Sequence, residues 1–230
     1  MDIEGSVALV TGANRGLGKV LAEQLLAKGA KKVYAGARDP AKVTYAGVTP
    51  VKLDVTNQGD VDAAARALSD VNLVFNNAGI APFKALADDP SLEVSRAIFE
   101  TNYFGVLRVA NAFAPGLAKN GGGALVNMLS ALSWISFPSL GAYSASKSAA
   151  WNLTNALRKE LKGQGTLVVG VHAGLIDTDM AAGVDAPKVS PEQVAAAILT
   201  AVREGREEVL SDDTSRQIKA ALSNDSGPYL

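Results

Sequence analysis

"VTGANRGLGK", Val10 to Lys19, closes one chain pattern and opens another. Before it runs "VALV", Val7 to Val10, an unbroken apolar stretch of strand length. After it, "GLGKVLAEQLLAK" repeats apolar residues at Leu17, Val20, Leu21, Leu25 and Leu26, the period of a helix. Between the two stand Gly12, Gly16 and Gly18, spaced G-x-x-x-G-x-G. The common strand–turn–helix fingerprint is G-x-G-x-x-G, so the arrangement differs while the physics is shared. Glycine permits a tight turn and a close approach of backbone. The helix start offers free N–H groups and a positive dipole end to an anion. A ligand-free glycine turn is the plain alternative, but the position between first strand and first helix favours a bound pyrophosphate.

The same alternation continues outward from this turn. Strands are expected at Lys32–Gly36, Val51–Val55, Asn72–Gly79, Gly123–Leu129, Thr166–Val171 and Glu207–Leu210. Helices are expected over Asp60–Leu68, Ser91–Ala118, the stretch from Tyr143 to Leu161, Pro191–Val202 and Thr214–Leu222. The strands are nearly all apolar rather than alternating, which suits a parallel sheet covered on both faces. Strand–helix alternation over the whole length predicts an α/β, doubly wound fold, with about seven parallel strands and helices on both sides. No linker or repeat divides the chain, so residues 1–230 are expected to form one domain. Gly121–Gly123 leads into a strand rather than a helix and reads as a turn.

Composition narrows the function. The 22 basic and 23 acidic side chains are dispersed, with no charged run to draw nucleic acid or an anionic membrane. The chain has no cysteine, which removes disulfides and thiolate metal sites and is compatible with the cytoplasm. The start carries acids and no basic apolar leader, and "LVVGVHAGLI", Leu167 to Ile176, is too short to span a bilayer. A soluble protein is expected.

The end of the second strand bears on which dinucleotide is held. A site for NAD usually places Asp or Glu there, about 20 residues beyond the glycines. Here "AGARDP" places Ala37 and then Arg38, and Arg15 lies inside the glycine turn. Two guanidinium forks suit a 2′-phosphate, so NADP is expected, with NADPH preferred over NADH. Asp39 complicates this, since it stands ready to neutralise Arg38.

A second constellation lies in "AYSASKSAAW", Ala142 to Trp151, where Tyr143 precedes Lys147 by one helical turn. A phenol near pKa 10 is a poor base at neutral pH, and lowering it by about three units takes roughly 4 kcal/mol of preferential phenolate stabilisation. An ammonium on the same helix face supplies charge of the right sign. Alone, the pair carries little weight. With "TGANRGLG", "NNAG" (Asn76 to Gly79), "TNYFG" (containing Asn102) and "VNMLS" (ending at Ser130), it resembles the short-chain dehydrogenase/reductase family from Ser6 to about Val209. Ser130 stands thirteen residues ahead of Tyr143, the usual spacing there.

The resemblance implies a Rossmann-type fold and assigns roles. Tyr143 would be the general acid that protonates a carbonyl oxygen, and Ser130 would bond the same oxygen. Lys147 would lower the phenol pKa and touch the nicotinamide ribose, and Asn102 would hold a water relaying protons from Lys147. The dinucleotide would lie along Gly12, Asn14, Arg15, Gly16, Leu17 and Gly18, with Arg38 at the 2′-phosphate. Asp54 and Val55 would meet the adenine, and Asn77, Ala78 and Gly79 the ribose. Gly174, Ile176 and Thr178 would meet the carboxamide beside Tyr143 and Lys147. One departure is "HAGLIDTDM", where Ala173 takes the position of the family's usual proline, which relaxes φ at that corner. His172 reads as a structural histidine, and Asp177 and Asp179 lack the further ligands a metal site needs.

The segments expected around the substrate are apolar: "ALSWISFPSLGA", with Trp134, Ile135, Phe137 and Leu140, and "GIAPF", with Ile80 and Phe83. The cover after Thr178 is short, "DMAAGVDAPKVS", with Lys188 its one cation. A neutral, apolar ketone or aldehyde fits such a pocket. The expected activity is NADPH-dependent carbonyl reduction. A non-catalytic NADP-binding regulator and an NAD-linked alcohol dehydrogenase stay open beside it. By analogy with the family, the chain would form a homodimer or homotetramer, and Val106, Val109, Ala112, Phe113, Trp151 and Leu153 read either as that contact face or as ordinary core.

Overall fold

The structure is a computed structural model that describes residues 1–229. Seven strands form one sheet: β1 (Val7–Thr11), β2 (Lys32–Ala37), β3 (Thr49–Lys52), β4 (Leu73–Asn76), β5 (Ala124–Met128), β6 (Leu167–His172) and β7 (Glu208–Leu210). Their order is β3-β2-β1-β4-β5-β6-β7, and every pair is parallel. Seven helices connect them: α1 (Gly16–Ala27), α2 (Gln58–Ala67), α3 (Glu93–Phe99), α4 (Gly105–Lys119), α5 (Gly141–Glu160), α6 (Pro191–Glu204) and α7 (Asp213–Ala221). The doubly wound α/β expectation is met.

Strand periodicity splits the core in two. Ala8, Val10, Val33, Phe75, Val126, Val169 and Val171 face α1 and α6, where Leu21, Leu25, Val194 and Ile198 meet them. Leu9, Tyr34, Val74, Leu125 and Val168 face the opposite layer, with Val61 of α2, Val109 and Phe113 of α4 and Leu157 of α5. Successive residues of one strand thus serve opposite layers, which is why the strands read as continuous apolar runs.

Several boundaries differ from the sequence reading. β3 occupies Thr49–Lys52 rather than Val51–Val55. It is an edge strand, so Pro50 is tolerated inside it, and Asp54 turns out of line to accept from Thr56 N at 2.9 Å. β4 stops at Asn76, because Asn77 and Ala78 both donate backbone N–H to Thr11 Oγ1 at 3.0 Å. The region expected as one helix over Ser91–Ala118 begins at Glu93, after Leu92 in the left-handed region, and carries a π-helical turn at Glu100–Phe104. All three glycines of Gly121–Gly123 have positive φ, as a turn requires. Val106, Val109 and Phe113, read as either contact face or core, are buried within the chain's own core.

The order of the strands places a crevice between β1 and β4. From β1 the chain winds outward to β2 and β3, then returns to β4 on the other side of β1. Ligands in such sheets bind at this reversal, outside the carboxyl ends of the strands. The glycine turn follows β1, Asn77–Gly79 follows β4, Ser130 follows β5 and Gly174 follows β6.

Candidate active site

The glycine turn is built for close contact. Gly12 and Gly16 have φ of 66° and 53°, in the left-handed region. A Cβ on Gly18 would stand 2.4 Å from Gly12 O and 2.5 Å from Asn77 Nδ2, so the packing admits only hydrogen there. Arg15, the N-cap of α1, makes no side-chain capping bond, which leaves the first-turn N–H groups for an anion. Asn77 Nδ2 donates to Thr11 O at 3.0 Å and to Gly12 O at 3.3 Å, tying Asn77–Gly79 to the turn. Tyr45 donates its hydroxyl to Ala13 O at 2.8 Å and braces the turn from outside. These features fit a dinucleotide pyrophosphate.

Around them the remaining predicted cofactor residues fall into three groups. Arg38 is exposed directly after β2, and Asp39 is spent on its own turn, accepting from Ala41 N at 3.1 Å. Among the described residues Arg38 forms no ion pair with Asp39. Arg15 instead pairs with Asp179 at 3.2 Å, both exposed, so Asp179 serves as a partner to a cation. Asp54 Oδ1 accepts from Thr56, and Val55 is buried with its carbonyl facing Arg108 at 3.4 Å. After β6, Gly174 N donates to Asp212 Oδ2 at 2.6 Å, Ile176 bridges to Val189, and Thr178 meets Gly16. Asn14 lies between these groups in the turn itself.

Asn102, Ser130, Tyr143 and Lys147 converge at the carboxyl ends of β4 and β5. Asn102 sits in the π-helical turn, fully buried; its Oδ1 accepts from Ile80 N at 2.9 Å, and its Nδ2 donates to Ile80 O at 2.9 Å and Ser146 Oγ at 3.1 Å. π-turns of this kind recur at functional sites because the extra residue re-aims one side chain. Ser130 caps a short 3₁₀ turn, its Oγ accepting from Leu132 N at 3.1 Å and donating to Ala173 O at 3.5 Å. Lys147 Nζ donates to Met128 O at 2.6 Å and stands 5.8 Å from the centre of the Tyr143 ring.

The electrostatics correct one expectation. Burial raises the Tyr143 phenol above its ordinary pKa of 10.0, only partly opposed by the neighbouring Ser130 side chain. Lys147 is not among the causes of that shift; burial pushes Lys147 itself down to about 8, and its ammonium donates to Met128 O. The Asn102 carboxamide is likewise taken at both ends, so any relay from Lys147 runs past it rather than through its side chain.

Three contributors escaped the sequence reading. Thr11, buried at the end of β1, receives the Asn77 and Ala78 N–H groups; a hydroxyl ending an apolar strand just before Gly12 was its only signal. Ser146 links Asn102 to Tyr143 O, accepting from one and donating to the other at 2.6 Å, and it lies inside the Tyr–Lys stretch itself. Asp212 reaches Gly174 across 38 residues, and no local pattern announces that.

A family model of short chain dehydrogenases matches residues 6–188. The chain belongs to the short-chain dehydrogenase family. It is 33% identical over 189 residues to the 3-oxoacyl-(acyl-carrier-protein) reductase FabG of Vibrio cholerae, covering 78% of this chain and 77% of that protein. Among solved structures, the short chain dehydrogenase of Burkholderia cenocepacia J2315 in complex with NADP superposes with a TM-score of 0.94 at 41% identity, covering 98% and 95% of the two chains. A short chain dehydrogenase/reductase of Burkholderia phymatum in complex with NAD gives a TM-score of 0.85 at 25% identity, covering 96% and 95%. The protein is thus an oxidoreductase of a family that uses nicotinamide cofactors and acts on small molecules. No helix among the described residues is long and apolar enough to cross a membrane.

Proposed function

We propose that residues 1–230 act as one unit that reduces a neutral, apolar ketone or aldehyde with NADPH. NADPH, when bound, supplies the hydride; the rest is the work of this chain. Gly12, Asn14, Gly16, Leu17 and Gly18 hold the pyrophosphate, and Arg15 and Arg38 the 2′-phosphate. Asp54 and Val55 face the adenine, Asn77, Ala78 and Gly79 the ribose, and Gly174, Ile176 and Thr178 the carboxamide. Ser130 orients the carbonyl oxygen and Tyr143 gives it a proton. A phenol above its usual pKa is fully protonated at neutral pH, the state a reductase needs before transfer. Lys147, freed from Met128, then stabilises the phenolate left behind, and reprotonation passes by way of Lys147, past the Asn102 side chain.

The observation that carries this reading is the convergence of Ser130, Tyr143 and Lys147 beyond the carboxyl end of β5, with the Lys147 ammonium 5.8 Å from the centre of the Tyr143 ring on the same helix. A regulator that only binds a dinucleotide has no use for that arrangement. The rim supports an apolar substrate: Phe83, Leu86, Phe137, Leu175 and Met180 are all exposed on the loops after β4, β5 and β6. Two of these loops are joined, Lys84 N donating to Ser139 O at 2.8 Å. Lys84 is exposed on the same rim, and its charge faces Asp89. Arg38 after β2, without an ion-pair partner among the described residues, favours NADPH over NADH. We place the enzyme in the cytoplasm as a homodimer or homotetramer, with exposed Phe104 beside α4 as the apolar contact.

A panel of ketones, aldehydes and carboxylate-bearing analogues, followed by NADPH absorbance, tests the reading. Turnover of neutral apolar carbonyls is expected, and Tyr143→Phe should reduce it at least a thousandfold while NADPH still binds, roughly 4 kcal/mol of lost proton-transfer catalysis. Better turnover of acidic substrates would refute the substrate class. Equal turnover by Tyr143→Phe would refute the mechanism.

A further inference from the structure

We infer that His172 is a positioning residue for this reaction: its imidazole fixes the Ser130 backbone on one side and the Trp134 wall of the substrate loop on the other. It is the chain's only histidine, and it is fully buried at the carboxyl end of β6. Its Nδ1 lies 3.0 Å from Ser130 O. A carbonyl oxygen cannot donate, so the proton is on Nδ1 and the ring is the donor. Its face stacks on Trp134 with centroids 3.9 Å apart and planes 16° from parallel. Its own carbonyl accepts from Ser211 N and Ser211 Oγ, both at 3.0 Å, next to the Asp212 that holds Gly174. One side chain and one carbonyl therefore connect the turn of Ser130, the loop of Trp134 and the corner of Gly174.

A purely structural histidine would be expected to satisfy both ring nitrogens. Here Nε2 is buried and meets no hydrogen-bond partner among the described residues. Glu208 Oε1 lies 3.9 Å away, beyond bonding distance, and the other oxygen of that carboxylate, Oε2, accepts from Lys219. Leaving a buried acceptor unmet is costly, so the ring's place is held by what its other nitrogen and its face do. Those contacts lead to Ser130, whose Oγ is already shared between Leu132 N and Ala173 O. A small shift of the Ser130 backbone moves that hydroxyl off the reacting oxygen, and misplacement on the ångström scale is enough to cost about a hundredfold in rate.

The inference rests on the proposed reductase activity for its kinetic half alone. His172→Leu keeps the volume and removes the donor; His172→Asn keeps a donor where Nδ1 now lies. With NADPH and an apolar ketone, His172→Leu should lower kcat about 10- to 100-fold with NADPH affinity unchanged, and His172→Asn should restore most of it. Equal losses in both variants, or a loss confined to NADPH affinity, would overturn the positioning role. Nitrogen NMR of the single imidazole reads the bond without any turnover: the Nδ1–H tautomer with a slowly exchanging proton is expected. An Nε2–H tautomer would overturn the inference even in an active enzyme, whereas a wild-type protein that turns over no carbonyl would instead sink the proposed function.

Discussion

Arg38 and Gly18 show how differently two single residues bear on the same cofactor. Arg38 acts through charge on an open surface, with Asp39 occupied elsewhere. Hydrogen bonds to a charged group contribute about 1.5–3 kcal/mol, so Arg38→Asp should lower the ratio of kcat/KM for NADPH over that for NADH about 10- to 100-fold. An unchanged ratio in steady-state kinetics would remove Arg38 from the 2′-phosphate site. Gly18 acts through space. Its missing side chain is what allows Gly12 O and Asn77 Nδ2 to close on the helix start. Gly18→Ala is therefore expected to destabilise the fold by about 1–3 kcal/mol and to weaken NADPH binding at least tenfold. Denaturant melts and fluorescence titration read both, and normal binding in a normally stable variant would contradict the tight turn. At this scale most of the site was legible. Ser130, Tyr143 and Lys147 announce themselves by type and spacing, while the raised Tyr143 phenol does not, because burial is a property of the assembled fold.

The elements carry contacts that no local pattern encodes. α7 was expected only as one more helix, yet its N-cap Asp212 accepts from Ser215 N at 2.7 Å with Oδ1 and from Gly174 N at 2.6 Å with Oδ2. That pairing stiffens the corner where Ala173 replaces the family's usual proline. Asp212→Ala removes a helix cap and strands the Gly174 N–H, so about 1–3 kcal/mol of stability should be lost. The KM for NADPH should rise more than kcat falls, since Ile176 and Thr178 lie just beyond. A melt unchanged from wild type would show that the corner stands without α7. The π-turn at Glu100–Phe104 was equally hidden, because one extra residue in a helix leaves the apolar period nearly intact. β3 was misplaced for a related reason: a proline argues against a central strand, and only the sheet order reveals that this strand lies at the edge.

For the molecule as a whole, pH separates the buried groups by the window in which each matters. Burial lowers His172 to about 4, helped by the charges of Lys219, Arg158 and Lys147 and opposed by its bond to Ser130. The unfolded chain then takes up a proton near pH 6.5 that the folded chain refuses until about 4, so stability is fully present above that range and falls as acid is added. Lys147, lowered to about 8, has its window above neutrality, where stability rises with pH until the unfolded lysine also loses its proton. Asp60 and Asp89, both held below the ordinary carboxylate value of 3.8, contribute above that value and lose it only in stronger acid. Between about pH 7 and about pH 4.5 the slope therefore belongs to His172, and integration gives a loss of roughly 2 kcal/mol. Denaturant melts across this range should show that decline in the wild type and a nearly flat profile in His172→Leu, whatever the variant's absolute stability. Parallel slopes in the two proteins would mean that the buried imidazole does not stay neutral on folding, and the donor geometry at Ser130 would need another source.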